Sequence, residues 1–140
     1  MSPSMQYDII VPNRKAPVML QLRPMDPSFP IQCQLGLESG PVVLVNLFTL
    51  DKADEAAMLE AWRDDAQFMQ RQPGYISTQL HRAIGDGCAY LNYAIWESNA
   101  TFRAAFSHPE FQAKLSRYPS SVVAAPHLFE KIAISNICVA

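Results

Sequence analysis

An α+β fold, with helices on one face of an antiparallel sheet, is what three features of the chain predict. The run PVVLVNLFTL, residues 41–50, is apolar, rich in β-branched residues and of strand length. The next segment changes period: Met58, Leu59, Trp62, Ala66 and Met69 recur at helical spacing, with Glu55, Glu60, Arg63 and Asp64 between them. YISTQLHRA and CAYLNYAIW then flank the turn Gly85-Asp86-Gly87 and read as a hairpin.

Residues 1–40 hold six of the eleven prolines, which fix φ and deny the backbone ladder hydrogen bonds. They read as an arm before a domain of residues 41–140, with Val18–Leu22 able to add one strand. In the domain, Asp51 or Asp54 can cap the first helix and Pro73-Gly74 stops it. Ser98 is a good N-cap for NATFRAAF, and Pro109 suits the first turn of PEFQAKLSRY. HLFEKIAIS, residues 127–135, reads as the last strand. The order strand, helix, strand, strand, helix, strand is that of the ferredoxin-like split βαβ arrangement.

Helices on one face of an antiparallel sheet leave the other face wet and therefore polar. Here the first and third strands are apolar on both sides, so the second face needs a cover, and a copy of the chain packed sheet on sheet is the economical one. The composition agrees with extra burial, since charged residues make up only 17% of 140 residues. Lys and Arg are scattered and the net charge is -2, which argues against nucleic acid or an anionic membrane surface as a partner. Cys33, Cys88 and Cys138 form no C-x-x-C pair and are expected as reduced thiols in or near the core. MSPSMQYDIIVPNRK lacks the pattern of a secretory signal, and no segment is long enough to span a bilayer, so a cytoplasmic protein is expected.

Motifs of hydrolases, nucleotide-binding loops and metal sites are absent. The informative stretch is LNYAIWES, residues 91–98. In a strand, Asn92, Ala94 and Trp96 share one face. A buried amide without partners costs roughly 1 to 3 kcal/mol, so Asn92 must bond either to protein or to a ligand. In the first case Asn92 ties down a loop and Trp96 fills core. In the second the strand floors a small-molecule cavity, in which Ala94 leaves room, Trp96 is a flat wall and Asn92 orients a polar group. Asn46 is a second amide inside an apolar strand, on the face of Leu44 and Phe48. Split βαβ topology makes the two strands neighbours. Among the histidines, His81 ranks first as a proton acceptor; His108 is placed to cap a helix and His127 to lie in a loop.

VVLVNLFTL, EAWRDDAQFMQRQPGYIS, LHR, NYAIWES and FRAAFSHPEFQ occur in an order that resembles the antibiotic biosynthesis monooxygenase family of dimeric α+β barrel proteins, over about residues 41–134. The resemblance implies a homodimer formed through the sheet. It also implies oxidation of an aromatic, phenolic or quinol-like small molecule with O2 and no flavin, haem or metal. In that branch an Asn and a Trp four residues apart on one strand belong to the site, and Asn92 and Trp96 match them. Asn46, Phe48 and Ala94 would contact substrate, with His81 a possible base. The branch also uses a Tyr and an Arg, for which Tyr118 and Arg117 are candidates. A haem-degrading branch would need a Trp and an axial His where this chain has Ala105 and Leu115, so that activity is not expected. The alternative is a non-catalytic dimeric module whose cavity binds a metabolite or is filled.

Overall fold

The computed structural model describes residues 20–140. A five-stranded sheet runs in the order β1-β5-β2-β4-β3, with β1 Gln21–Leu22, β2 Val42–Thr49, β3 Tyr75–Arg82, β4 Ala89–Trp96 and β5 Val123–Phe129. The four long strands pair antiparallel and have the ferredoxin-like order. β1 adds parallel to the edge of β5 and makes the sheet mixed. It is the described part of the strand expected at residues 18–22; Val18 and Met19, like the N-terminal segment read for a secretory signal, lie outside the described residues. α1, Ile31–Gln34, follows β1. The Gln34 amide substitutes for a strand partner, donating to Leu128 O at 2.8 Å and accepting from Leu128 N at 2.9 Å.

The last strand lies earlier than expected, at Val123–Phe129 rather than 127–135. Pro126 hides it, because proline reads as a strand breaker. On β5 the Ala124 C=O points outward and accepts from Arg23 N, and the Leu128 N–H and C=O point outward to the Gln34 side chain. Pro126 shares that alternation, so its missing N–H falls in the gap between β1 and Gln34 and breaks no β2 ladder bond. His127 is thereby a strand residue, buried beside Phe129 at a ring distance of 5.3 Å, and not a loop residue. Residues 130–140 leave the sheet. Cys33 and Cys138 are exposed and Cys88 is half-buried, so the expectation of core thiols fails for the first two.

α2, Glu55–Gln70, buries Met58, Ala61, Asp65 and Phe68. The apolar stripe is rotated from the expected one: Leu59 is exposed, while Trp62 and Met69 are half-buried. A carboxylate on the inner face is what concealed the rotation. Neither Asp51 nor Asp54 caps α2 with its side chain; a 3-10 turn at Lys52–Asp54 leads into it, and Asp54 instead accepts from Ser121 Oγ at 2.7 Å. Ser98 does cap α3, Asn99–Phe106, by accepting from Thr101 N, and His108 Nδ1 caps α4, Pro109–Lys114. Asn99 Nδ2 ties the α3 start to the arm through Gln34 O and Leu37 O, each at 2.8 Å.

All helices cover the face that carries Leu44, Asn46, Phe48, Tyr90, Asn92, Ala94 and Trp96. The opposite face is open and apolar along its centre, with Leu47, Tyr93 and Phe129 exposed by 42%, 39% and 43%. Glu55 clamps α2 to the far end of the hairpin by accepting from Arg82 Nε at 2.6 Å and from the Tyr90 hydroxyl.

Between α2 and β3, Gly74 has φ 88°, and a Cβ there would overlap Thr101. Gly74→Ala is expected to destabilise the fold by about 1–3 kcal/mol from backbone strain alone, with a further loss from the clash, read as a lower urea midpoint.

Candidate active site

The floor of the site is set by strand register. β2 and β4 place Asn46 directly opposite Asn92, Leu44 opposite Ala94 and Phe48 opposite Tyr90, so the two amides stand side by side on the helix-covered face. On β3, Thr78 lies opposite Ala94 and donates from Oγ1 to Asn92 Oδ1 at 2.5 Å. With its oxygen engaged, Asn92 keeps Nδ2 as a donor for something else. Asn46 Oδ1 is buried and has no hydrogen-bond partner among the described residues. An orphaned acceptor of this kind costs roughly 1 to 3 kcal/mol, and a ligand hydroxyl or N–H would relieve it.

Above the amides is a cavity of about 70 Å³. Asn46, Asn92 and Thr78 line it from the sheet, Trp62, Asp65 and Met69 from α2, Phe102 and Phe106 from α3, and Tyr118 from the segment after α4. Leu20 and Leu22 of the arm complete the wall. Apart from these few polar groups the lining is aliphatic and aromatic, the composition of a small-molecule site. Trp96 forms one side but is only 1% exposed, held edge-on by Tyr75 and Phe102, each with rings 5.7 Å apart. Phe48 stacks on Tyr118 with the rings 6.3 Å apart and 8° from parallel.

The Tyr118 hydroxyl donates to Asp65 Oδ2. Burial pushes the Asp65 carboxyl up to about 7, against the Tyr118 hydrogen bond, with Asp64 adding to the rise and Lys114 opposing it. Burial and the Asp65 charge push the Tyr118 phenol well above its usual range. Asp64 itself turns outward to Lys114 Nζ at 3.2 Å and Arg117 Nη1 at 3.1 Å.

Five of the six site residues expected from the sequence, Asn46, Phe48, Asn92, Ala94 and Trp96, line this one cavity. His81 does not: its register opposite Leu91 puts it on the open face, where Nδ1 sits 3.2 Å from Leu91 O. His108 caps a helix and His127 faces away from the cavity. Of the Tyr and Arg candidates, Tyr118 reaches the cavity and Arg117 is an exposed partner of Asp64. Sequence reading missed Thr78 and Asp65. Asp65 could have been found by its spacing, since it falls at i+7 from Met58 and i-3 from Phe68 on one helix face. No group of three His, Cys, Asp or Glu side chains placed to hold a metal exists among the described residues. No helix among them is long and apolar enough to cross a membrane.

Residues 41–115 match the family model for antibiotic biosynthesis monooxygenase. The chain is 30% identical to deoxynogalonate monooxygenase of Streptomyces nogalater over 82 residues, 59% of this chain and 69% of that protein. Its structure is similar to that of SnoaB, a cofactor-independent oxygenase from Streptomyces nogalater, with a TM-score of 0.63 and 26% identity over 70% of this chain and 99% of that one. A protein of Shewanella loihica PV-4 is 34% identical with a TM-score of 0.59, covering 71% and 100% of the two chains.

The unfolded chain loses the Asp65 proton near the ordinary value of 3.8, whereas the folded chain keeps it to about 7. Its contribution to stability is therefore full below pH 4 and is lost as pH rises through 7. Wild type is expected to lose a few kcal/mol relative to Asp65→Asn between pH 4 and pH 7, measured by urea denaturation of both proteins across that range.

Proposed function

The chain belongs to the antibiotic biosynthesis monooxygenase family, and we propose that it uses O2, without flavin, haem or metal, to oxidise an aromatic phenol or quinol-like small molecule. The observation that carries this reading is the amide pair: a buried, unpartnered Asn46 oxygen beside an Asn92 nitrogen available to donate, in an enclosed wall of aromatic side chains. Chemistry of this kind draws its electrons from the substrate. A deprotonated phenol or enol is electron-rich enough to reduce O2, so the protein's work is to bind the ring, favour the anion and exclude water. For a ring methylene oxidised to a quinone carbonyl, one oxygen atom enters the product and the other leaves as water with the two methylene hydrogens.

The roles follow from position. Asn46 Oδ1 accepts from a ring hydroxyl, and Asn92 Nδ2 donates to the oxygen on which negative charge develops. Phe48 and Trp96 bound the ring plane, and Ala94 leaves space over the floor. Drug-sized ligand pockets run roughly 300–1,000 Å³, against about 70 Å³ here. A fused-ring substrate therefore enters only as a wall moves outward. The Leu20 and Leu22 wall belongs to the arm, outside the family-matched residues 41–115. The open sheet face, with Leu47, Tyr93 and Phe129 exposed, fits a homodimer packed sheet on sheet.

A non-catalytic binding module is the second reading, favoured by the tight packing of Trp96 between Tyr75 and Phe102. Oxygen-electrode assays on a panel of anthrones and hydroquinones separate the two. Wild type is expected to consume O2, and Asn92→Ala to lose about 10²-fold or more in kcat with unchanged sedimentation. No uptake across the panel favours the binding module. Sedimentation at micromolar concentration is expected to give a dimer, and a monomer would contradict the sheet-on-sheet assembly.

A further inference from the structure

The helix layer over the amides carries a carboxyl that the roles above leave unused. Asp65 is 8% exposed, sits on the inner face of α2 between Ala61 and Phe68, and lines the cavity. The Tyr118 hydroxyl is its one hydrogen-bond partner among the described residues and engages Oδ2. No hydrogen bond to Oδ1 is found among the described residues. The charged groups nearby satisfy one another instead: Lys114 and Arg117 both pair with Asp64, on the outer side of the same helix. From the sheet, the polar side chains that face the cavity are the uncharged Asn46, Asn92 and Thr78.

A carboxylate paired with Lys or Arg ionises low and is a weak base, whereas a buried one held by a neutral phenol is a stronger one. We propose that Asp65 is the general base of the cavity, taking the proton from the substrate's phenolic or enolic hydroxyl, with Tyr118 as the positioning residue that fixes its Oδ2. This rests on the ring oxidation proposed above and supplies the base that His81, on the other face, cannot supply within this chain. In the step, the substrate O–H bond breaks, its electron pair stays on the ring oxygen, and an O–H bond forms at Asp65 Oδ1. The negative charge passes from the carboxylate to the ring, and no electron leaves the substrate until O2 takes it. A base that ionises near 7 is matched to work at neutral pH.

The tests use the full chain. In oxygen-uptake assays wild-type kcat/KM is expected to fall about tenfold per pH unit below pH 7 as the base is protonated. Asp65→Asn is expected to lose roughly 10²–10⁴-fold and to show no such limb. Tyr118→Phe, which removes a hydrogen bond that favours the carboxylate, is expected to move the limb to higher pH. Activity lost at every pH in Tyr118→Phe would make the phenol the acceptor and overturn the assignment. So would an unchanged rate and limb in Asp65→Asn.

A readout independent of turnover is the proton exchanged when 2-naphthol binds, from calorimetry in two buffers near pH 7. A hydroxyl donating to Asp65 favours its ionised form, so wild type is expected to release protons on binding and Asp65→Asn to release none. Equal release in both proteins overturns the Asp65 proposal and leaves the ring-binding reading standing. Failure of naphthol to bind overturns that reading and the proposal with it.

Discussion

Everything distinctive about this molecule depends on the register between β2 and β4, which sets Asn46 opposite Asn92. Strand side chains alternate between faces, so a slip of one residue between the two strands would put Asn46 and Asn92 on opposite faces and turn one of the amides out to the open side. The observed register does the reverse. It gathers the polar interruptions of two otherwise apolar strands at one place and leaves a row of apolar side chains on the other side. One choice of pairing thus produces both the floor of the cavity and the uncovered face.

Enclosure then gives those amides their chemical weight. In water an asparagine amide exchanges one partner for another at little cost, but under Phe102, Phe106 and Tyr118 an unpartnered oxygen is expensive. The same shielding raises the Asp65 carboxyl to about 7. The aromatic helix layer does not merely fill space; it makes a donor, an acceptor and a weakly acidic carboxyl interact strongly with whatever enters. The arm takes part as well. β1 and the residue before it put Leu22 and Leu20 into the wall, and Gln34 together with Asn99 binds the following segment to the edge of β5 and the start of α3.

The fold was legible because its signals are periodic and local. The β-branched run at residues 41–50, the change to helical spacing after it and the Gly-Asp-Gly turn each specify an element without long-range information. The start of the last strand was not legible, since tolerance of Pro126 depends on which edge of β5 lacks a partner, a property of the assembled sheet. Asn46, Asn92, Ala94 and Trp96 could be picked out because two amides and an indole stand out in apolar strands. Their adjacency needed the register. His81 misled because it is close to the site in sequence and on a neighbouring strand, yet parity of alternation sends it to the opposite face. Asp65 was hidden by the habit of assigning carboxylates to the wet side of a helix, and its partner Tyr118 lies 53 residues away.

Whether the two strand amides hold the oxygens of a ring substrate is decided most directly by a crystal structure with an unreactive hydroxylated quinone bound. The ring is expected inside the cavity, between Phe48 and Trp96, with its oxygens about 2.7–3.2 Å from the Asn46 and Asn92 amides and the Leu20–Leu22 wall displaced outward. A ring bound elsewhere, with Asn46 Oδ1 still unpartnered, would contradict it.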